Sequence, residues 1–345
     1  KRREGETFAS SQRFICHGIC RADATGSGAS RYNGRGIGKH DSLMERKGSS
    51  VNYDIELKQV SVRYGSVLAL HNISLQLPYG KIYGLLGRNG AGKTTLLSLI
   101  GSFMAPTSGD LTVGGKTVFE NAEVMPHVGL YYEADFKEET ETVKGLFEAA
   151  ERYRPNFDRG YADELADKFQ LPIQKRMKEL SKGQQSATNV TLGLANRTPI
   201  TIFDEAYLGM DAPTRELFYK ELLEDHERHP RTIILSTHHV SEIDYLFEEV
   251  VILHEGNVLL QETLDSLLER GVSVTGAAQA VDEFVSGMEV LHSERLGGVQ
   301  RTMIYGTLSE QQLAAAKRLG LEIGRISLQK LFIHLTEGGN VDGLG

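Results

Sequence analysis

One stretch constrains this chain more than any other. Gly87-Arg88-Asn89-Gly90-Ala91-Gly92-Lys93-Thr94 matches every position of the pattern G-x-x-x-x-G-K-[ST]. The apolar run Lys81-Ile82-Tyr83-Gly84-Leu85-Leu86 before it reads as a buried strand. Thr95-Leu96-Leu97-Ser98-Leu99-Ile100 after it reads as the opening turns of a helix. Strand, glycine-rich loop and helix in that order form a phosphate cradle. The glycines let the backbone turn its N–H groups onto phosphate oxygens, and the helix start adds free N–H groups and positive dipole. In such a loop Lys93 reaches the β- and γ-phosphates, and the Thr94 hydroxyl is placed to ligate Mg²⁺.

A P-loop needs a carboxylate for its metal. Ile200-Thr201-Ile202-Phe203-Asp204-Glu205 is a β-branched run ending in two acids. Asp204 is therefore expected to hold Mg²⁺, directly or through water, and Glu205 to orient an attacking water. Thr232-Ile233-Ile234-Leu235-Ser236-Thr237 is another apolar strand, followed by His238 and His239. Ligands sit at the carboxyl edge of open α/β sheets, so His238 is either a structural histidine or part of the site. Asp211, ahead of Ala212-Pro213, reads as a helix N-cap. Tyr64 falls between two alternating strands, Tyr53 to Val60 and Ile73 to Leu77, where it can stack on a base or simply pack. Val128 to Tyr132 reads as a strand ending at Glu133. Residues 143–197 follow a helical period and contain Leu180-Ser181-Lys182-Gly183-Gln184 just before a helix.

Composition narrows the partners. The net charge of −8 argues against nucleic acid as the main partner. No apolar run reaches spanning length, so the chain is not expected to cross a membrane by itself. Residues 1–50, rich in Gly, Ser and Arg, read as a disordered tail; Lys1-Arg2-Arg3 lacks the apolar core of a secretory signal. The two cysteines, Cys16 and Cys20, flank His17 but lack a second ligand pair at zinc spacing, which leaves a reducing compartment as the simpler expectation. Residues 263–345 read as an accessory α+β domain of β-α-β-β-α-β order, possible as a ferredoxin-like fold, with a short helix from Leu328 to Leu335.

Residues 53–262 resemble the nucleotide-binding domain of ABC transporters. Leu180-Ser181-Lys182-Gly183-Gln184 is similar to that family's LSGGQ signature, with lysine at the third place, and it lies in the family's order between the P-loop and the Asp204-Glu205 strand. His238 matches the switch histidine, Asp211 the D-loop and Tyr64 the adenine-stacking aromatic. The resemblance implies a P-loop fold of ABC type: a RecA-like core, an antiparallel β subdomain and a helical subdomain within residues 51–262. It further implies ATP held by Tyr64, by Gly87, Arg88, Asn89, Gly90, Ala91, Gly92, Lys93, Thr94 and Thr95, and by a partner's Ser181, Gly183, Gln184 and Asp211. Mg²⁺ would sit at Thr94, Asp204 and Glu133, and Glu205 with His238 would carry hydrolysis. With one copy of each motif, the ATP sandwich needs a second chain, a homodimer being the simplest. The C-terminal extension is similar to those on ATPases of ABC-2-type exporters, which implies an exporter with a separate membrane permease and a place on the inner face of the plasma membrane. A soluble ATPase acting on ribosomes or DNA, or a non-transporting signalling module, is the competing reading. Two departures stand out: Glu133 where the family has a Q-loop glutamine, and Ala206 where a proline usually follows the glutamate.

Overall fold

The computed structural model describes residues 52–238 and 240–337. The N-terminal tail with Cys16, His17 and Cys20, and His239, lie outside the described residues. Two sheets form the first part. Strands β1 (Ile55–Tyr64), β2 (Val67–Leu77), β4 (Ser108–Val113) and β5 (Lys116–Thr117) make an antiparallel sheet ordered β2-β1-β4-β5. Strands β3 (Ile82–Gly87), β6 (Val128–Tyr132), β7 (Ile200–Asp204), β8 (Thr232–Thr237), β9 (Glu249–His254) and β10 (Asn257–Thr263) make a second sheet ordered β10-β9-β3-β8-β7-β6. All its pairs are parallel except the β9–β10 hairpin. That hairpin turns on Glu255-Gly256, both at positive φ, as a two-residue loop of the twist-matching kind requires.

The inner strands of the second sheet, β3, β7, β8 and β9, are buried on both faces, which is why they read as largely apolar runs. Side chains nevertheless alternate between two cores. Tyr83, Leu85, Ile200, Ile202, Ile234, Val251 and Leu253 point into one core with the antiparallel sheet and helix α1 (Lys93–Ile100). Ile82, Leu86, Phe203, Ile233, Leu235, Val250 and Ile252 point into the other, which is covered by helices. These are α2 (Val143–Tyr153), α3 (Arg159–Lys168), α4 (Lys182–Ala195), α5 (Ala212–Arg228) and the short α6 (Val240–Ile243). The first three form the helical subdomain.

After α7 (Leu264–Arg270) come β11 (Gly271–Ala277), α8 (Ala278–Phe284), β12 (Val290–Leu296), β13 (Val299–Tyr305), α9 (Glu310–Arg318), β14 (Glu322–Arg325) and α10 (Leu328–Glu337). The sheet is antiparallel throughout and ordered β12-β13-β11-β14, the ferredoxin-like arrangement. Val272, Val274, Val281, Phe284 and Ile304 give it a core of its own.

Three expectations need correction. Tyr64 closes strand β1 rather than sitting in a loop, because β2 starts at Val67, well before Ile73. The boundary between residues 262 and 263 cuts strand β10, whose Thr263 still pairs with Glu249. The last described helix is not confined to the accessory unit: Leu328, Leu331, Phe332 and Leu335 share one core with residues of the nucleotide domain and with Met303, Tyr305 and Ile326 of the accessory part.

Candidate nucleotide-binding site

The strand register assembles the site. Leu86 pairs with Thr237, Asp204 with Ser236, and Tyr132 with Asp204. Leu86, Thr237, Glu205 and Glu133 therefore fall on one rung at the carboxyl edge of β3, β8, β7 and β6. Parallel strands place that edge on one side of the sheet, and the P-loop and His238 follow directly from it.

Gly92 takes φ of +103°, a conformation costly for any residue with a Cβ, and it lets the loop enter α1. Lys93 is buried, and its ammonium donates to the carbonyls of Gly87 (2.6 Å) and Arg88 (3.3 Å). An ammonium carries three donors, so one remains for a phosphate. Burial lowers the Lys93 pKa, and the carboxylates of Glu205 and Asp204 oppose that shift. The Thr94 hydroxyl donates to Asp204 Oδ2 at 2.9 Å. Thr94 and Asp204 thus already share a site. Among the described residues no three His, Cys, Asp or Glu side chains gather as a metal centre. The donor set fits Mg²⁺, which is commonly held by one or two protein oxygens together with phosphate oxygens and water.

Glu205 lies at φ of +53°, and its N–H donates to Ser236 O at 3.3 Å. A left-handed backbone costs a residue with a Cβ roughly 1–2 kcal/mol, and such strain collects where a side chain must be aimed. Here it aims Glu205 at His238, whose Nδ1 lies 2.6 Å from Oε1. Both side chains are part-exposed, so water reaches the pair.

The signature segment is a helix start. Ser181 caps α4 by accepting from the Gln184 N–H, and Gln184 Oε1 accepts from the Ser181 N–H. The Ser181 hydroxyl keeps its own hydrogen for a further acceptor. Gln184 is engaged in this capping box rather than facing outward. Asp211 caps α5 by accepting from the Thr214 N–H at 3.1 Å, and hydrogen bonding there lowers its pKa. Tyr64 is half exposed, with its hydroxyl 3.1 Å from Met104 Sδ, which leaves ring surface for stacking. Arg88, Asn89 and Gly90 are exposed at the loop tip, while Ala91 is buried and Thr95 half-buried at the helix start.

Two features escaped sequence reading. Gly209 presses on the signature helix: a Cβ there would stand 2.6 Å from Ser186 Oγ and 2.9 Å from Lys182 O. A Cβ on Gly183 would meet Gly209 O at 3.1 Å. Signature and D-loop therefore touch within one chain, and no spacing rule announces that. The second feature joins the signature's unusual lysine to the acid at the Q-loop position, since Lys182 Nζ lies 3.8 Å from Glu133 Oε1.

The comparisons with known proteins agree with this geometry. The family model described as ABC transporter matches residues 70–208. The ABC transporter ATP-binding protein NatA of Bacillus subtilis is 30% identical over 218 residues, covering 59% of this chain and 85% of NatA. The spermidine/putrescine import ATP-binding protein PotA of Legionella pneumophila is 29% identical over 217 residues, covering 59% of this chain and 57% of PotA. Among solved structures, a dimeric bacterial ABC transporter cassette, MJ0796, superposes with a TM-score of 0.53 at 24% identity, over 61% of this chain and 98% of the cassette. That likeness concerns the fold alone. Family model, relatives and fold converge on one conclusion: the chain belongs to the ATP-binding proteins of ABC transporters, and it is the ATP-binding, ATP-hydrolysing subunit of such a system.

Proposed function

We propose that this chain hydrolyses Mg²⁺-bound ATP in a head-to-tail homodimer that drives a separate membrane permease, as an exporter. The observation that carries the reading is the shared carboxyl edge of the parallel strands, with Thr94 against Asp204 at 2.9 Å and Glu205 against His238 at 2.6 Å. The P-loop N–H groups and Lys93 would bind the phosphates, and Tyr64 would stack on the adenine. Thr94 and Asp204 would hold Mg²⁺, and Glu133 would offer a further oxygen ligand. When bound, the metal supplies charge neutralisation at the phosphates. Glu205 would accept a hydrogen bond from the attacking water, and His238 would hold the Glu205 carboxylate in place. Across the dimer, the partner's Ser181 and the Gly183 N–H would cap the γ-phosphate, beside Gln184 and Asp211. Closure then requires ATP, and hydrolysis releases it. Export, rather than import, rests on the likeness of the C-terminal extension to those of ABC-2-type exporter ATPases.

Among the described residues no helix is long and apolar enough to cross a membrane; the transport reading itself puts this subunit against a separate permease, on the cytoplasmic face. The test is a pull-down of the Glu205→Gln variant with ATP from detergent-solubilised cells. A polytopic membrane protein at near-equal stoichiometry is expected. Ribosomal or DNA-repair proteins in its place would overturn the transport reading.

A further inference from the structure

We infer that the C-terminal helix α10 is a positioning element for hydrolysis: by packing on α6, it holds His238 against Glu205. The inference rests on the reading of Glu205 and His238 as the hydrolytic pair.

Its basis is where α10 is buried. The helix follows the ferredoxin-like sheet in sequence, yet Leu328, Leu331, Phe332 and Leu335 fall in the core of the nucleotide domain rather than in that sheet's own core, with Leu331 also against Gly271 of β11; Thr336 is buried on the same face. Their spacing puts them on one face of the helix. That face packs on β3, the P-loop strand, and on α6, while the helix also meets β12. Segment α6 begins two residues beyond His238. It spans only Val240–Ile243, too short to hold its conformation by its own hydrogen bonds. Val240 and Ile243 are fully buried in the core that α10 completes. A second tie comes from Arg215 near the start of α5, which pairs with Glu242 at 3.0 Å. The switch segment is therefore clamped between the helix that Asp211 caps and α10.

The consequence concerns geometry rather than binding. Lys93 and Thr94 belong to α1 and Asp204 to β7, so none of the three lies in α6. His238 does, because it joins β8 to α6 through one residue. Loosening α10 should displace His238 from Glu205 and lower turnover, while nucleotide affinity stays with the P-loop.

The test compares two cores in the full chain. Leu335→Val and Leu335→Ala open a graded gap under α10, and Val281→Ala opens one inside the accessory sheet core. Thermal melts identify a pair of variants destabilised alike. Between those two, only the Leu335 variant is expected to lower kcat, by roughly fivefold or more, with KM for ATP and ADP affinity within about twofold of the parent. Hydrogen exchange over residues 240–243 is expected to quicken about tenfold in the Leu335 variant and to stay unchanged in Val281→Ala. Equal losses of kcat in both, or unchanged exchange at residues 240–243, would overturn the inference. Absence of hydrolysis by the parent chain would sink the proposed function instead, and the exchange measurement would still decide whether α10 holds the switch segment.

Discussion

The nucleotide sheet and the C-terminal sheet are both twisted, helix-covered layers, but only one of them collects chemistry. In the first, β3, β8, β7 and β6 run parallel, so the residues that follow them meet on a single rung. In the second, β12, β13, β11 and β14 alternate in direction, so adjacent strand ends lie at opposite edges. No comparable set of acids, histidine and phosphate loop can converge there. The lesson is that strand direction, more than residue content, decides where a site can form.

That contrast predicts activity without stability effects on one side and stability without activity effects on the other. The largest expected effect is on the nucleotide side. Glu205→Gln should lower ATP turnover by about a hundredfold or more while ATP binding persists, measured by phosphate release beside equilibrium binding. Turnover near the parent value would break the assignment of Glu205.

Next comes the contact between signature and D-loop. Gly209→Ala places a Cβ against Lys182 O and Ser186 Oγ, at an expected cost of about 1–3 kcal/mol in unfolding free energy. Because it shifts the start of α4, it should also weaken ATP-dependent dimerisation, read by light scattering with Glu205→Gln as the background. Unaltered dimerisation would show that the close approach matters to packing alone.

On the accessory side, Ser309 caps α9 in a capping box with Gln312. Ser309→Ala should cost about 1 kcal/mol in stability and leave ATP turnover unchanged, which a denaturant melt and a rate assay check together. A loss of turnover there would join the two regions more tightly than the cores suggest.

The smallest effect concerns pH. His292 on β12 and His334 on α10 stack at 4.4 Å between ring centroids, with Glu294 3.4 Å from His292 and Glu337 3.7 Å from His334. Burial, and then His292, lower the His334 pKa; Lys330 acts in the same sense, while Glu337 and Glu294 oppose it. A histidine with a depressed folded pKa contributes stability that is present above its unfolded value near 6.5 and fades as pH falls through the folded one. His334→Gln should flatten that acid-side loss in melts taken from pH 8 to pH 5. An unchanged pH slope would remove His334 from the account.

Local patterns carried a large part of the site. The phosphate loop, the Asp204-Glu205 strand end and the helix start at Ser181 are each contiguous, because binding phosphate, presenting an acid at a strand end and capping a helix are local tasks. The β-α-β-β-α-β order was legible for the same reason, since turn residues such as Gly297-Gly298 and the Ser309 cap punctuate it. Boundaries were less so. Tyr64 and Val67 belong to strands that pairing extends past what alternation shows, and Thr263 is kept in β10 by Glu249 across the ladder.

What the sequence determined by itself is therefore the kind of protein: a P-loop ATPase of ABC type with an appended α+β unit. Only the tertiary structure decided which residues share a rung, that Lys182 stands beside Glu133, that Gly209 abuts the signature helix, and that α10 returns to the nucleotide core. Each of these joins residues far apart along the chain. Such contacts are selected by register and by the burial of apolar faces, and a one-residue shift in register would undo the first of them.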